Sequence, residues 1–315
     1  MTGSGRNILV IKLGALGDFV QGLGPFAAIR RYHPSDRVVL LTAAPFADLA
    51  RQSGLFDEVW IDDKPSATDI GGWLALRREL RAGNFARVYD LQTSDRSSFY
   101  ARLFWPGPRP EWSGIARGCS HPHANPKRDS MHTLERQAEQ LRMAGIADAA
   151  PRAPDVSFLA ADAARFGLKA PYVLLAPGGA AHRPAKRWPI ERFAALATEL
   201  AVRKMTPVLL GVDSEKALAR RIVDFCPAAR DLTGRTGLSD IAVLARGARF
   251  AVGNDTGPMH LIAAAGCPSA VLFSGASDPA LCAPAGPRVA ILRREPLGLL
   301  DVGDILAAAQ GLGAL

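Results

Sequence analysis

Short, unbroken apolar runs alternate along this chain with stretches whose apolar residues recur every three or four positions. "NILVIKLG", "VVLLTA" (38–43), "FDEVWIDD" (56–63) and "FARVYDLQ" (85–92) read as strands. "WLALRRELRAG" (73–83) and "HTLERQAEQLRMAGI" (132–146) have helical spacing and close on Gly83 and Gly145. A Pro-, Ala- and Asp-rich passage at 147–171 breaks the pattern and reads as an interdomain linker. The alternation then resumes. "YVLLAPGG", "TPVLLGVD", "RFAVGND" and "PSAVLFSG" are strands, with helices at 189–204, "SEKALARRIVDF", "GLSDIAVLARGA" and "GPMHLIAAAG" between them, and "VGDILAAAQGLGAL" is a terminal helix. Strands alternating with helices predict parallel sheets covered on both faces. Two such series predict an α/β protein of two doubly wound domains.

Composition agrees with this picture. The 315 residues, 48% apolar and 22% charged, suit a globular protein of two ordinary domains. No apolar run reaches the ~18 residues of a membrane span. The first run is too short for a signal peptide and Lys12 interrupts it, so a cytoplasmic address is expected. The net charge of +8, from 38 basic and 30 acidic residues, is Arg-rich and scattered. It suits anionic partners such as phosphates or acidic lipids. No nucleic-acid motif with interleaved aromatics accompanies it, so nucleic acid is not expected. The four cysteines form no C-x-x-C, and Cys119 with His121 and His123 matches no common metal spacing. No metal site is expected.

Ligands of doubly wound sheets bind outside the carboxyl ends of the strands, and three loops there carry unusual chemistry. In "KLGALGDFVQGLG" (12–24), Gly14 and Gly17 bracket a turn and Asp18 opens a helix, as a helix cap or as a carboxylate free to act as a base. "APGGAAHRPAKRWP" (176–189) sets small residues among His182, Arg183, Lys186 and Arg187 before a helix, the makings of an anion site. "VGNDTGPMHLIAAAG" (252–266) places Asp255, Thr256, Gly257 and His260 at a strand-to-helix junction. Asp255 or Thr256 can cap that helix and Pro258 suits its first turn. His260, taken alone, fits a core residue as well as a ligand.

Together, "ILVIKLGALGD", "PGGAAHRPAKRWPIERFAAL" and "LTGRTGLSDIAVLARGARFAVGNDTGPMHLIAAAGCPSAVLFS" resemble glycosyltransferase family nine, the ADP-heptose:lipopolysaccharide heptosyltransferases, in order and spacing. The resemblance implies a GT-B architecture, with two Rossmann-like domains facing across a cleft. Residues 1–155 would bind the acceptor and 170–298 the nucleotide-sugar donor, with a helix at 301–315 packing back on the first domain. It implies Asp18 as catalytic base and Lys186 on the donor pyrophosphate, beside His182. It implies Glu215 at the ribose, and Asp255, Thr256, Gly257 and His260 as the donor signature. The activity implied is inverting transfer of a heptose or related sugar from an ADP-sugar to a lipopolysaccharide core or other glycan, without a cofactor. A sugar-nucleotide epimerase of similar form, or a non-catalytic nucleotide-sugar-binding protein, remains an alternative. No D-x-D occurs, so lysine and helix termini would meet the diphosphate. The segment 116–132, with Arg117, Lys127 and Arg128 and few apolar anchors, is expected to be a mobile loop, which either clamps the phosphates of a lipid-linked acceptor or is a solvated surface loop. Peripheral contact with the inner-membrane surface is compatible with such an acceptor.

Overall fold

The computed structural model describes residues 5–179 and 183–315 and divides into two compact units, Met1–Arg152 and Ala153–Leu315. The first holds strands β1 (Asn7–Ile11), β2 (Arg37–Thr42), β3 (Glu58–Ile61), β4 (Phe85–Asp90), β5 (Glu111–Gly114) and β6 (His121–Pro122). They form one sheet in the order β3-β2-β1-β4-β5-β6, and every neighbouring pair is parallel. Its helices are α1 (Leu16–Tyr32), α2 (Ala47–Gln52), α3 (Ile70–Ala82), α4 (Asp95–Tyr100) and α5 (Thr133–Met143). The second unit repeats the plan. Strands β7 (Tyr172–Ala176), β8 (Thr206–Leu209), β9 (Arg230–Asp231), β10 (Phe250–Asn254), β11 (Ser269–Phe273) and β12 (Val289–Arg293) lie in the order β12-β11-β10-β7-β8-β9. Helices α6 (Ile190–Val202), α7 (Lys216–Phe225), α8 (Leu238–Gly247), α9 (Gly257–Ala264), α10 (Pro279–Cys282) and α11 (Val302–Gly311) connect and close it.

Both orders are the classic dinucleotide-fold order 3-2-1-4-5-6, so each sheet has a switch point between its first and fourth strands. In the first unit that point lies at the ends of β1 and β4; in the second, at the ends of β7 and β10. The continuous apolar runs follow from central position. β7, β10 and β11 are buried along their whole lengths, whereas the edge strands β3 and β12 are partly exposed.

Two expectations need correction. The 147–171 passage is not a free linker. Val156, Leu159 and Phe166 are buried, and Arg246 of α8 donates to the carbonyls of Val156 and Leu159. The stretch from Ala153 onward belongs to the second unit. The terminal helix, expected to pack on the first unit, contributes to the core of the second. Ile305 and Ala309 of α11 join the core of the second, with Phe193, Leu196 and Leu272. A helix with an apolar stripe buries it on the nearest uncovered sheet face, and β11 and α6 supply one.

Candidate functional site

At the second unit's switch point, the loop after β7 is the hub. Asn254, the buried last residue of β10, donates from Nδ2 to the carbonyls of Pro177 (2.8 Å) and Gly178 (3.0 Å), and its Oδ1 accepts from Trp188 N–H at 2.9 Å. It therefore ties both ends of the loop to the adjacent strand. Sequence reasoning passed over Asn254, although "GND" placed it beside the signature. Glu215 reaches the loop from the other side: Oε1 accepts from Gly179 N–H (2.8 Å) and Oε2 from Val212 N–H (3.0 Å). A Cβ at Gly178 would lie 2.0 Å from a Glu215 carboxylate oxygen, so a side chain there would displace Glu215 from the loop. Gly179 holds φ +156, with Thr256 Cγ2 3.3 Å from where its Cβ would stand. Arg187 donates to the Gly179 carbonyl.

Lys186, in the short 3₁₀ turn Pro184–Lys186, directs Nζ to Asp255 Oδ2 at 2.7 Å, and the same oxygen accepts from Ser277 Oγ at 2.7 Å. The two charged side chains are 14% and 8% exposed, so this is a largely buried pair whose members depend on each other. Ser277, in the loop after β11, was not read from the sequence. Thr256 is the N-cap of α9 but makes no side-chain capping bond, and Gly257 and Pro258 form its first turn. Pro258 has no N–H and Met259 N–H donates to the Thr256 carbonyl at 3.1 Å, so this end of α9 offers an anion the Gly257 N–H and the positive end of the helix dipole. His260 is buried on that turn. His182 lies outside the described residues.

The first unit's switch point holds Asp18 on the first turn of α1, half-buried, with Oδ2 accepting from Ala15 N–H at 3.3 Å. Capping is thus part of its role, and the carboxylate keeps further acceptor capacity. Lys12 is buried and donates to the Leu91 carbonyl at 3.0 Å; burial pushes its ammonium pKa down. Arg136 of α5 and Lys12 both feel the charge of Asp18, and Arg136 also feels that of Arg128. Neither Lys12 nor Arg136 stood out in the sequence, because α5 is distant in the chain and Lys12 looked like a strand interruption. Beside them a crevice of about 520 Å³ is lined by Gly14, Ala15, Phe46, Lys64, Gln92 and Arg96, among others.

The 116–132 segment is not an unanchored loop. It contributes β6, buried His123 meets Glu139 at 2.8 Å, and Asn125 donates to both oxygens of the same carboxylate. Polar anchors replaced the apolar ones that composition lacked. Its cations stand in different surroundings: Arg117 lines a groove with Arg102 and Arg109, Lys127 is exposed, and Arg128 pairs with Asp129 at 2.7 Å.

Asp90, the fully buried end of β4, is pushed up to about 6 by burial, against hydrogen bonds from Thr93 and Gln92 N–H that pull it down. The folded protein therefore binds this proton more tightly than the unfolded chain. Its contribution to stability is present in full below about pH 4 and is lost as pH rises through about 6, by up to about 3 kcal/mol. An Asn at 90 keeps the acceptor oxygen and removes the charge. The expected result is that Asp90→Asn has a higher Tm than wild type near pH 7 and that the gap closes near pH 4. A gap independent of pH would show that the carboxyl has the same pKa in the folded and unfolded protein.

Two parallel sheets in dinucleotide-fold order, each with polar chemistry at its switch point, match the GT-B fold. The profile of Glycosyltransferase family 9 (heptosyltransferase) matches residues 73–298. The chain belongs to that family. A lipooligosaccharide heptosyltransferase 2 from Haemophilus influenzae is 30% identical over 141 residues, which are 42% of this chain and 38% of that protein. The chain thus matches well under half the length of this curated relative. Among solved structures, a family 9 glycosyl transferase from Veillonella parvula superposes with a TM-score of 0.85 at 21% identity, covering 99% of this chain and 98% of its own. The E. coli ADP-heptose lps heptosyltransferase II follows at 0.80 and 21%, covering 97% and 98%. These two show the shared fold. No helix among the described residues is long and apolar enough to cross a membrane.

Proposed function

We propose that the protein transfers a heptose or related sugar, with inversion, from an ADP-sugar to a hydroxyl of a phosphorylated, lipid-linked glycan of the lipopolysaccharide core type. The observation that carries this reading is the Lys186–Asp255–Ser277 cluster beside the start of α9, on the loop that Asn254 holds at the second switch point. An ammonium has three donors and Asp255 takes one, so Lys186 is positioned by its partner yet keeps donors for a diphosphate. The Gly257 N–H and the positive end of the α9 dipole add a second anion contact. In this reading Asp255 and Ser277 offer oxygens to sugar hydroxyls, Glu215 meets the ribose, and His182, Thr256, Gly257 and His260 complete the donor set. The ADP donor follows the relative described as an ADP-heptose enzyme.

On the acceptor side, Asp18 takes the hydroxyl proton as the oxygen bonds to the anomeric carbon and the bond from that carbon to the ADP phosphate oxygen breaks. The ADP leaves with the electron pair, and Lys186 and α9 stabilise its charge. Arg136 with Arg128, and Arg117 and Lys127 nearer the surface, suit an acceptor bearing phosphates. Such an acceptor is anchored in lipid, so the protein works at the cytoplasmic face of the inner membrane. The test is incubation of ADP-heptose with a lipid A-type acceptor, read by acceptor mass and anomeric configuration. A product heavier by one heptose, with inverted configuration, is expected. An epimerised donor with an unchanged acceptor would overturn the assignment.

A further inference from the structure

We propose that the face of the first unit formed by α3, α4 and the 105–110 loop docks on an anionic lipid bilayer, its apolar side chains entering the headgroup boundary and its arginines meeting lipid phosphates. This deepens the functional reading and rests on it only for the lipid-linked acceptor.

Ile70, Leu74 and Trp105 are 72%, 58% and 62% exposed, and Phe99 is 40% exposed. Single exposed apolar residues are ordinary; a contiguous group is not. The group is contiguous here. Ile70, Leu74 and Phe99 line one open groove of about 640 Å³ with Trp73 and Leu103. Trp73 packs edge-on against Phe99 at 5.3 Å, and Arg77, also lining the groove, donates to the Trp105 carbonyl at 3.1 Å. Helical spacing explains how α3 serves both surfaces. Leu76 and Leu80 are buried, while Ile70, Leu74, Arg77 and Arg81 follow one another along a different stripe. A stripe that is apolar at its start and cationic at its end has the composition of a helix lying in a membrane interface. In the loop "WPGPRP" Trp105 stands just ahead of three prolines that stiffen the backbone, so little conformational freedom remains to be lost on binding, and Trp favours that interface.

Charge selects the occupant. Residues 70–118 carry eight arginines against four carboxylates, which is half of the chain's surplus of eight. A second groove shares Asp95 and Phe99 with the apolar one and is lined by Arg102, Arg109 and Arg117. Arginine thus stands directly beside the apolar residues, as anionic headgroups stand beside acyl chains. Arg96 lines both the apolar groove and the crevice at the first switch point. A glycolipid held in a bilayer against this face would have its sugar end next to that crevice.

The experiment is flotation with vesicles of phosphatidylcholine, with and without phosphatidylglycerol. The protein is expected to float with the anionic vesicles only and to be released by salt. Arg102→Gln and Arg109→Gln should each lower the partition about fivefold. Leu74→Ser with Trp105→Ser should lower it at least about tenfold with Tm unchanged, because both side chains are exposed. Undiminished flotation of that double variant, or no flotation of the wild type, would overturn the proposal. So would a change of oligomeric state in the variant, which would make a second copy the occupant. A water-soluble, delipidated acceptor separates this from the function itself. Flotation through this face without sugar transfer sinks the functional reading alone; transfer to the soluble acceptor without flotation sinks the docking surface alone.

Discussion

Asp18→Asn is expected to lose about 10²–10⁴-fold in transfer rate, the range of general-base assistance, while binding ADP as tightly as wild type and keeping its Tm. The structure makes this a clean substitution. Asp18 Oδ2 accepts one hydrogen bond, from Ala15 N–H, and an Asn side-chain oxygen can accept the same bond. The start of α1 is therefore preserved and only the capacity to take a proton is removed. Asp18→Ala adds a second effect, since it also deletes the cap at a cost of about 1 kcal/mol. The two variants separate structure from chemistry: both should be inactive, and only the Ala variant should melt earlier. Product formation under saturating donor, with calorimetry of ADP binding, checks both halves. An Asn variant that turns over at the wild-type rate would show that the Asp18 carboxylate is not the base, and the cap would be its whole function.

Lys186→Ala is expected to weaken ADP and ADP-sugar binding by similar factors, since the lost contact is to the diphosphate that both contain. Stability should fall too. The substitution leaves Asp255, 8% exposed, with the Ser277 hydroxyl but without its cation, and breaking a buried pair from one side typically costs about 3–5 kcal/mol. Loss of affinity and loss of fold could then be confused. Lys186→Ala combined with Asp255→Asn resolves them, because it removes the orphan charge. Tm should return most of the way to wild type while ADP affinity, measured calorimetrically, stays low. If affinity for ADP returned with Tm, Lys186 would act only by neutralising Asp255, and the diphosphate would be held by the Gly257 N–H and the α9 dipole alone.

Much of the fold was legible because its central strands are buried on both faces. "NILVI", "YVLLA" and "SAVLF" lie inside their sheets, covered on both faces, so all but their first positions at most are apolar and the pattern had little room to mislead. The strands that escaped notice are peripheral. β6 and β9 have two residues each, β5 is the four-residue "EWSG", and β12 follows a four-residue helix, so neither length nor alternation announced them. The 147–171 passage misled for the opposite reason. Its prolines and small residues look like a linker, yet three apolar side chains and the reach of Arg246 are enough to hold it.

The same division runs through the site. The sequence by itself determined which loops carry the chemistry, because Gly, Asp, Thr and Lys at strand-to-helix junctions are constrained by local backbone geometry, and local geometry is written locally. It also determined that a family 9 signature was present. Only the tertiary structure decided the partners. Lys186 and Asp255 are 69 positions apart, Asn254 and Pro177 are 77 apart, and Arg136 lies far along the chain from the Asp18 whose charge it feels. Parallel sheets join strands through long crossovers, so residues that meet at a switch point come from distant segments, and no local spacing records the meeting. The same holds for the exposed face of α3. Periodicity marks an apolar residue without saying whether the sheet or the solvent receives it, and for Leu74 and Leu80, six positions apart, only the packing of the helix chose.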